Sequence, residues 1–244
     1  MAILDATLLS LVAGLATGLG GLLVALLGKL SMRSYDALLG FAAGVMTSIA
    51  TLGLILEAST QTTSIVPLVG VAVGAAALFA FDRFLPHQHL GLERSEIRPS
   101  RRAVLLFAAI TLHNIPEGLA VGTGYAYQPR LGLVLALAIA LHNIPEGMAV
   151  AAPLRAGGMS RLKCVAWATA SGLAEPLAAV IGATFATFFS LLLPFALAFA
   201  GGAMLYVVSD ELIPESHSHG YEHEATFGFV VGFILLLSLM RYLR

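Results

Sequence analysis

The sequence predicts an all-α polytopic membrane protein with eight transmembrane helices. Of its 244 residues, 58% are hydrophobic and 11% are charged, whereas a soluble domain carries about 25% charged residues. Too little polar surface is left to cover a soluble globule, so the bilayer must be the solvent. Eight apolar stretches reach the roughly 20 residues that a helix needs to cross the hydrocarbon core. Backbone groups in lipid must be satisfied within each segment, which favours helices over strands.

The first three predicted spans cover approximately residues 3–27, 36–57 and 65–85. The chain begins MAILDATLLSLVAG, with no basic segment ahead of the apolar run, and we therefore expect a retained first span instead of a cleaved signal peptide. The longest polar interruption, residues 86–102, follows the third span and contains two histidines that we expect to be solvated, His87 and His89.

The remaining five predicted spans cover approximately residues 103–126, 131–152, 164–188, 191–209 and 226–243. A second polar interruption, residues 210–224, separates the last two of them. No linker divides the chain, which predicts a single domain over residues 1–244. The net charge of -1 gives no sign of nucleic-acid binding, and the single cysteine, Cys164, excludes an internal disulfide or a multi-cysteine metal site.

Basic residues are distributed unequally between the two sides of the predicted bundle. One side collects ten of them: Lys29, Arg33, Arg83, Arg94, Arg98, Arg101, Arg102, Arg155, Arg161 and Lys163. The other side has three: Arg130, Arg241 and Arg244. Because basic loops stay in the cytoplasm, both termini are predicted to face outward.

Glycines recur at four-residue spacing in several spans, which lets helices approach closely in lipid. The pairs are Gly14 and Gly18, Gly40 and Gly44, Gly70 and Gly74, and Gly118 and Gly122. We interpret most of them as the contacts of a tight helix bundle.

The hexapeptide HNIPEG occurs twice, beginning at His113 in the fourth span and at His142 in the fifth. In each copy the histidine and the glutamate are four residues apart, which places both on one helix face. The proline of each copy lacks an N–H group. We expect it to kink its helix and to release the carbonyl four residues earlier, on Leu112 or Leu141.

Three glutamates lie inside predicted spans with no Lys or Arg at comparable depth: Glu117, Glu146 and Glu175. A charge inside the membrane costs at least a few kcal/mol, so these groups are either protonated or share a cation. The two neighbouring histidines favour a transition metal, because imidazole and carboxylate suit zinc, iron and manganese. Interhelical hydrogen bonding, or ancestral repetition without function, explains the pattern less well.

At these residues the sequence resembles the ZIP family of divalent metal transporters, particularly the short bacterial zinc-uptake members. The matching segments are both HNIPEG copies, SGLAEP in the sixth span, GFAAGVM from Gly40 and SDELIPESH from Ser209. The resemblance covers essentially the whole chain. It implies a bundle with inverted-repeat character, in the inner membrane of a prokaryote, that moves metal toward the cytoplasm. It also implies an elevator-like motion of spans 1, 4, 5 and 6, often within a homodimer.

By position, the resemblance implies seven metal-binding residues: His113, Asn114, Glu117, His142, Asn143, Glu146 and Glu175. Some relatives bind two metals and carry an aspartate at the position of Asn143, so the neutral amide weakens the case for a second ion here. The resemblance implies that the bound metal is the transported substrate, Zn(II) or another divalent transition metal, and that the protein has no resident cofactor. A passive metal channel and an intramembrane metalloenzyme are the alternative functions, although the HExxH pattern of the latter is absent.

The interruption after span 7 is rich in groups that bind metals. We predict that it captures metal leaving the pore, through Glu211, His217, His219 and His223. An ordinary solvated acidic loop is the alternative. Glu57, at the outer end of span 2, is predicted to be a plain interfacial carboxylate.

Overall fold

A computed structural model describes residues 1–28, 30–84 and 99–243, and the regular elements within them are helical. His87 and His89 lie outside the described residues. In chain order the helices are α1 (Ala2–Leu27), α2 (Met32–Ser48), α3 (Leu56–Thr60), α4 (Val66–Phe84), α5 (Pro99–Tyr127), α6 (Pro129–Ala156), α7 (Arg161–Gly172), α8 (Ala174–Phe188), α9 (Leu193–Val207), α10 (Ile213–Ser216) and α11 (Glu222–Leu243).

Several of these helices join into longer ones that match the predicted spans. A π-helical turn, Ile49–Ile55, links α2 to α3, and a second, Val208–Leu212, links α9 to α10. Within the described residues, seven helical stretches are long and apolar enough to cross a membrane. The 29-residue α5, which carries the first HNIPEG copy, is not among those seven. The all-helical, multi-pass architecture is confirmed, while the eight-span count and the outward termini stay predictions.

Local signals in the sequence set several helix ends. Ser31 caps α2, because its hydroxyl accepts a hydrogen bond from the Ser34 amide at 3.1 Å. Gly28 follows α1 with a φ of 83°, a conformation that costs other residues energy. Pro129 stands in the first turn of α6, where its missing N–H is no loss.

The polar interruption predicted from residue 210 is wrong at its start, because the helix of span 7 continues to Ser216. The extension buries one of its faces against the bundle. Glu211, Leu212, Glu215 and Ser216 are at most 8% exposed. A run of polar residues was therefore a poor guide to the helix end, since these polar side chains face protein.

The two HNIPEG prolines do not end their helices, since α5 continues through Pro116 and α6 continues through Pro145. A break occurs instead in span 6, between α7 and α8. Leu173 separates them with a ψ of -8°, one residue after Gly172 and two before Glu175.

The helices pack in two sets. In the first set, α1 contacts α6, α7 and α8 most extensively, and α5 contacts α8. In the second set, α2 packs mainly on α11, and α4 packs on α9. Glycines bring the helices close together in both sets. A Cβ added to Gly14 would overlap the backbone of Gly172, and one added to Gly118 would overlap the carbonyl of Glu175. The close approach predicted from the four-residue glycine spacing is confirmed.

Candidate metal site

The seven residues of the predicted metal site are all buried, none with more than 5% of its surface exposed. They are His113, Asn114, Glu117, His142, Asn143, Glu146 and Glu175. Helices α5 and α6 supply the first six, and α8 supplies the glutamate at its first turn. The structure divides the seven into a central group of three, an amide-linked pair, an asparagine without a hydrogen-bond partner among the described residues, and a histidine that faces elsewhere.

The central group consists of Glu117, His142 and Glu146, whose ligand atoms all lie within 4.8 Å of one another. His142 Nε2 is 2.8 Å from Glu117 Oε1, and its Nδ1 is 3.3 Å from the Ala138 carbonyl. A carbonyl can only accept, so Nδ1 carries the hydrogen in that contact. A histidine held in this way presents Nε2 to a metal, as in zinc sites with an outer hydrogen-bond partner.

Three of the four carboxylate oxygens in the central group have no hydrogen-bond partner among the described residues. Neither oxygen of Glu146 has a hydrogen-bond partner among the described residues, and the same is true of Glu117 Oε2. Burying a carboxylate without a partner is costly. One imidazole nitrogen and two carboxylates are ligands that a divalent transition metal accepts. The residues present therefore fit such an ion.

Asn143 and Glu175 form a separate pair. The Asn143 Nδ2 group donates to the Ala13 carbonyl of α1 at 2.9 Å and to Glu175 Oε1 at 2.6 Å. The carbonyl fixes the orientation of the amide, because it cannot donate. Glu175 is not part of the group formed by Glu117, His142 and Glu146.

Asn114 occupies the same place in the first hexapeptide as Asn143 does in the second, but its surroundings differ. It is fully buried, and neither its amide nitrogen nor its oxygen has a hydrogen-bond partner among the described residues. Both atoms are therefore available to bind a group that is not a described part of the protein.

His113 faces the end of span 7. Its Nε2 lies 3.1 Å from Glu211 Oε2, and both residues are buried. Glu211 also belongs to a second group of possible metal ligands with Asp82 and Asp210, again within 4.8 Å of one another. Sequence reasoning did not connect Asp82 with this group. It lies near the end of α4, and Asp210 and Glu211 lie in the π-helical turn Val208–Leu212.

The three histidines predicted to capture metal after span 7 have different surroundings. His217 makes local contacts, with its Nδ1 3.0 Å from the Ile213 carbonyl and its Nε2 3.3 Å from Thr226. His219 lies 2.8 Å from Asp36 at the start of α2. His223 is exposed in the first turn of α11.

Comparison with known proteins identifies zinc transporters among the relatives of this chain. Residues 86–240 match the family model described as ZIP zinc transporter. The chain is 41% identical to the zinc transporter GufA of Myxococcus xanthus, over 94% of this chain and 95% of that protein. It is 40% identical to the zinc transporter ZIPB of Bordetella bronchiseptica, over 92% and 76% of the two chains. It is also 36% identical to the zinc transporter ZupT of Corynebacterium glutamicum, over 96% and 98%.

Proposed function

The chain belongs to the ZIP family of zinc transporters, and from that premise we propose that it carries divalent transition metals, zinc first, into the cytoplasm. Members of this family are transporters and not enzymes, so membership in the family excludes the metalloenzyme alternative. One observation carries the proposed site. Glu117, His142 and Glu146 bring their ligand atoms within 4.8 Å of one another in the interior of the bundle.

The ligand set suits a carrier because it binds without holding too tightly. It contains an imidazole and two carboxylates but no thiolate, since the one cysteine is elsewhere. Such mixed ligands accept zinc, iron, manganese, cobalt and cadmium. Calcium takes six to eight oxygen ligands, and magnesium keeps most of its water. We therefore expect broad transport of transition metals that excludes both.

A second set of carboxylates supports a route from this site toward the cytoplasm. His113 lies one helical turn before Glu117 on α5, and its imidazole contacts Glu211 at 3.1 Å. Glu211 in turn lies within 4.8 Å of Asp82 and Asp210. A cation that leaves the central group meets His113 first and then these three carboxylates. By the predicted orientation, they lie on the cytoplasmic side.

The packing supports a motion of α1, α5, α6, α7 and α8 as one unit. Gly147 of α6 lies against the Thr17 backbone of α1, and Gly122 of α5 lies against the Ala179 backbone of α8. These contacts lock the helices that carry the site to one another. They favour an elevator-like carrier, and saturable uptake kinetics would separate it from a passive channel.

The test is zinc uptake into liposomes that contain the purified protein. Glu146→Gln keeps the shape of the side chain but removes its charge, and we expect uptake to fall to the level of protein-free liposomes. Glu222→Gln is the matched control, because this carboxylate is exposed in the first turn of α11, and it should transport normally. Unchanged uptake by Glu146→Gln would contradict the assigned site.

A further inference from the structure

A second cluster of histidine and carboxylate groups lies outside the transport site, where the start of α2 meets the end of span 7. We propose that Asp36, Glu215 and His219 form a separate binding site for a divalent transition metal. Glu215 and His219 are four residues apart on the chain, and Asp36 reaches them from the first turns of α2. None of the three belongs to the HNIPEG segments.

The hydrogen bond between His219 and Asp36 determines which imidazole nitrogen is available. His219 Nδ1 lies 2.8 Å from Asp36 Oδ1. An ionised carboxylate only accepts hydrogen bonds, so Nδ1 carries the hydrogen and Nε2 presents its lone pair. A carboxylate behind the imidazole is the usual outer partner of a zinc-binding histidine.

The available nitrogen faces a second carboxylate at a distance that suits a shared cation. His219 Nε2 is 3.9 Å from Glu215 Oε1, which is too far for a hydrogen bond. Zinc binds nitrogen and oxygen at about 2.1 Å, so a tetrahedral ion holds two such atoms about 3.4 Å apart. The pair needs to close by only about 0.5 Å to share an ion.

Burial gives the cluster a reason to bind a cation. Asp36 is fully buried, and its Oδ2 has no hydrogen-bond partner among the described residues. Glu215 is 6% exposed. Arg33, three residues before Asp36, is paired with Glu224 at 2.8 Å and is engaged there. A buried carboxylate oxygen without a donor favours an added positive charge.

Tyr35 holds the cluster in place and His219 opens it to solvent. The Tyr35 hydroxyl donates to Glu215 Oε1 at 3.4 Å, and its ring meets the His219 ring edge-on with centroids 5.4 Å apart. The His219 side chain remains 12% exposed. An ion can therefore enter beside the imidazole without an opening of the bundle.

The position of the cluster also gives it a role in transport. Glu215 follows Glu211 by one turn of the same helical stretch. The site would receive metal that has passed Glu211, or metal from the solvent on that side. This role rests on the proposed function, whereas the existence of the metal site does not.

Cobalt(II) binding to the full-length purified protein tests the proposal, because the d–d absorption of bound cobalt reports its ligands. The transport site is first disabled with Glu146→Gln. We expect that variant to retain about one equivalent of cobalt, and the further change His219→Ala or Glu215→Gln to remove it. Asp36→Asn keeps an acceptor for Nδ1–H and should weaken binding about 10- to 100-fold. Glu222→Gln is the control and should bind like the Glu146→Gln parent.

Two results would overturn the proposal. Cobalt absorption that survives His219→Ala would place the bound ion elsewhere. A His219→Ala variant that melts at a lower temperature, with no cobalt lost, would show that the cluster is an ion pair only. Because His219→Ala removes the ring contact with Tyr35, His219→Gln provides a second variant, and circular dichroism checks the helix content of both. Failure of the proposed function would show separately, as normal zinc uptake by Glu146→Gln.

Discussion

Replacing Gly147 by alanine tests how tightly the transport site depends on the approach of α1 to α6. Gly147 directly follows Glu146. A Cβ at this position would overlap the Thr17 carbonyl oxygen, and would lie 2.7 Å from its carbonyl carbon and 3.0 Å from its Cα. Ordinary contacts of a Cβ atom are 3.4–4 Å. The two helices must therefore separate by on the order of 1 Å, because backbone cannot rotate away as a side chain can.

The cost has two parts. Overpacking a well-packed interior costs about 1–3 kcal/mol. A separation of this size also stretches the 2.9 Å hydrogen bond from Asn143 to the Ala13 carbonyl beyond hydrogen-bonding distance, which costs about 0.5–1.5 kcal/mol more. We expect Gly147→Ala to lower the free energy of unfolding by about 2–4 kcal/mol, and to reduce zinc uptake because Asn143 and Glu175 lose their anchor.

Thermal unfolding of the purified protein in detergent, followed by circular dichroism, measures this cost. A loss of about 2–4 kcal/mol corresponds to a fall in Tm of about 4–16 °C for a chain of this size. Gly157→Ala is the control, since its Cβ would come no closer than 3.4 Å to its neighbours and its φ of -73° suits any residue. It should change stability by less than about 0.5 kcal/mol. A Gly147→Ala protein that melts and transports like the wild type would refute the reasoning.

Three further predictions concern the ion itself. Asn143→Asp places a carboxylate where the amide now donates to Glu175 at 2.6 Å, and bound zinc, measured by equilibrium dialysis, should rise by one equivalent over the wild type. Zinc uptake should fall as the outside pH drops to about 5.5, because metal ligands must be deprotonated and histidine titrates near pH 6.5. An uptake rate that does not change with pH would contradict metal binding by histidine. Excess cobalt, manganese or cadmium should compete with zinc for uptake into liposomes, whereas calcium and magnesium should not.

Much of the architecture could be predicted because the membrane imposes simple rules. The apolar runs predicted helices whose observed bounds agree closely for α1, α4 and α6. The buried charges of both hexapeptides predicted a shared site, since lipid penalises a lone carboxylate. The end of span 7 could not be predicted in this way. Polarity marks the membrane boundary only where polar groups face solvent, and Glu211 and Glu215 face protein.

The surroundings of the individual site residues were also beyond the sequence. Asn114 and Asn143 have identical neighbours along the chain, yet only the second donates to a carbonyl of α1. The difference comes from which helix passes each asparagine, and no local pattern records that. The pairing of His113 with Glu211 depends in the same way on a π-helical turn, which adds one residue to a turn and rotates every later side chain.

The glycine contacts within the first set differ in kind from the Gly53 contact between the two sets, and this bears on how an ion moves through the protein. Within the first set, glycines lie against backbone: Gly122 against Ala179 and Gly147 against Thr17. Such contacts fit in one register only. Gly53, between the sets, instead faces the end of the Leu135 side chain at 3.0 Å. Apolar side-chain contacts are non-directional and can form again after a shift. We therefore expect the first set to slide against the second while the central group stays intact. The carboxylates proposed to receive the ion beyond His113 belong to the second set.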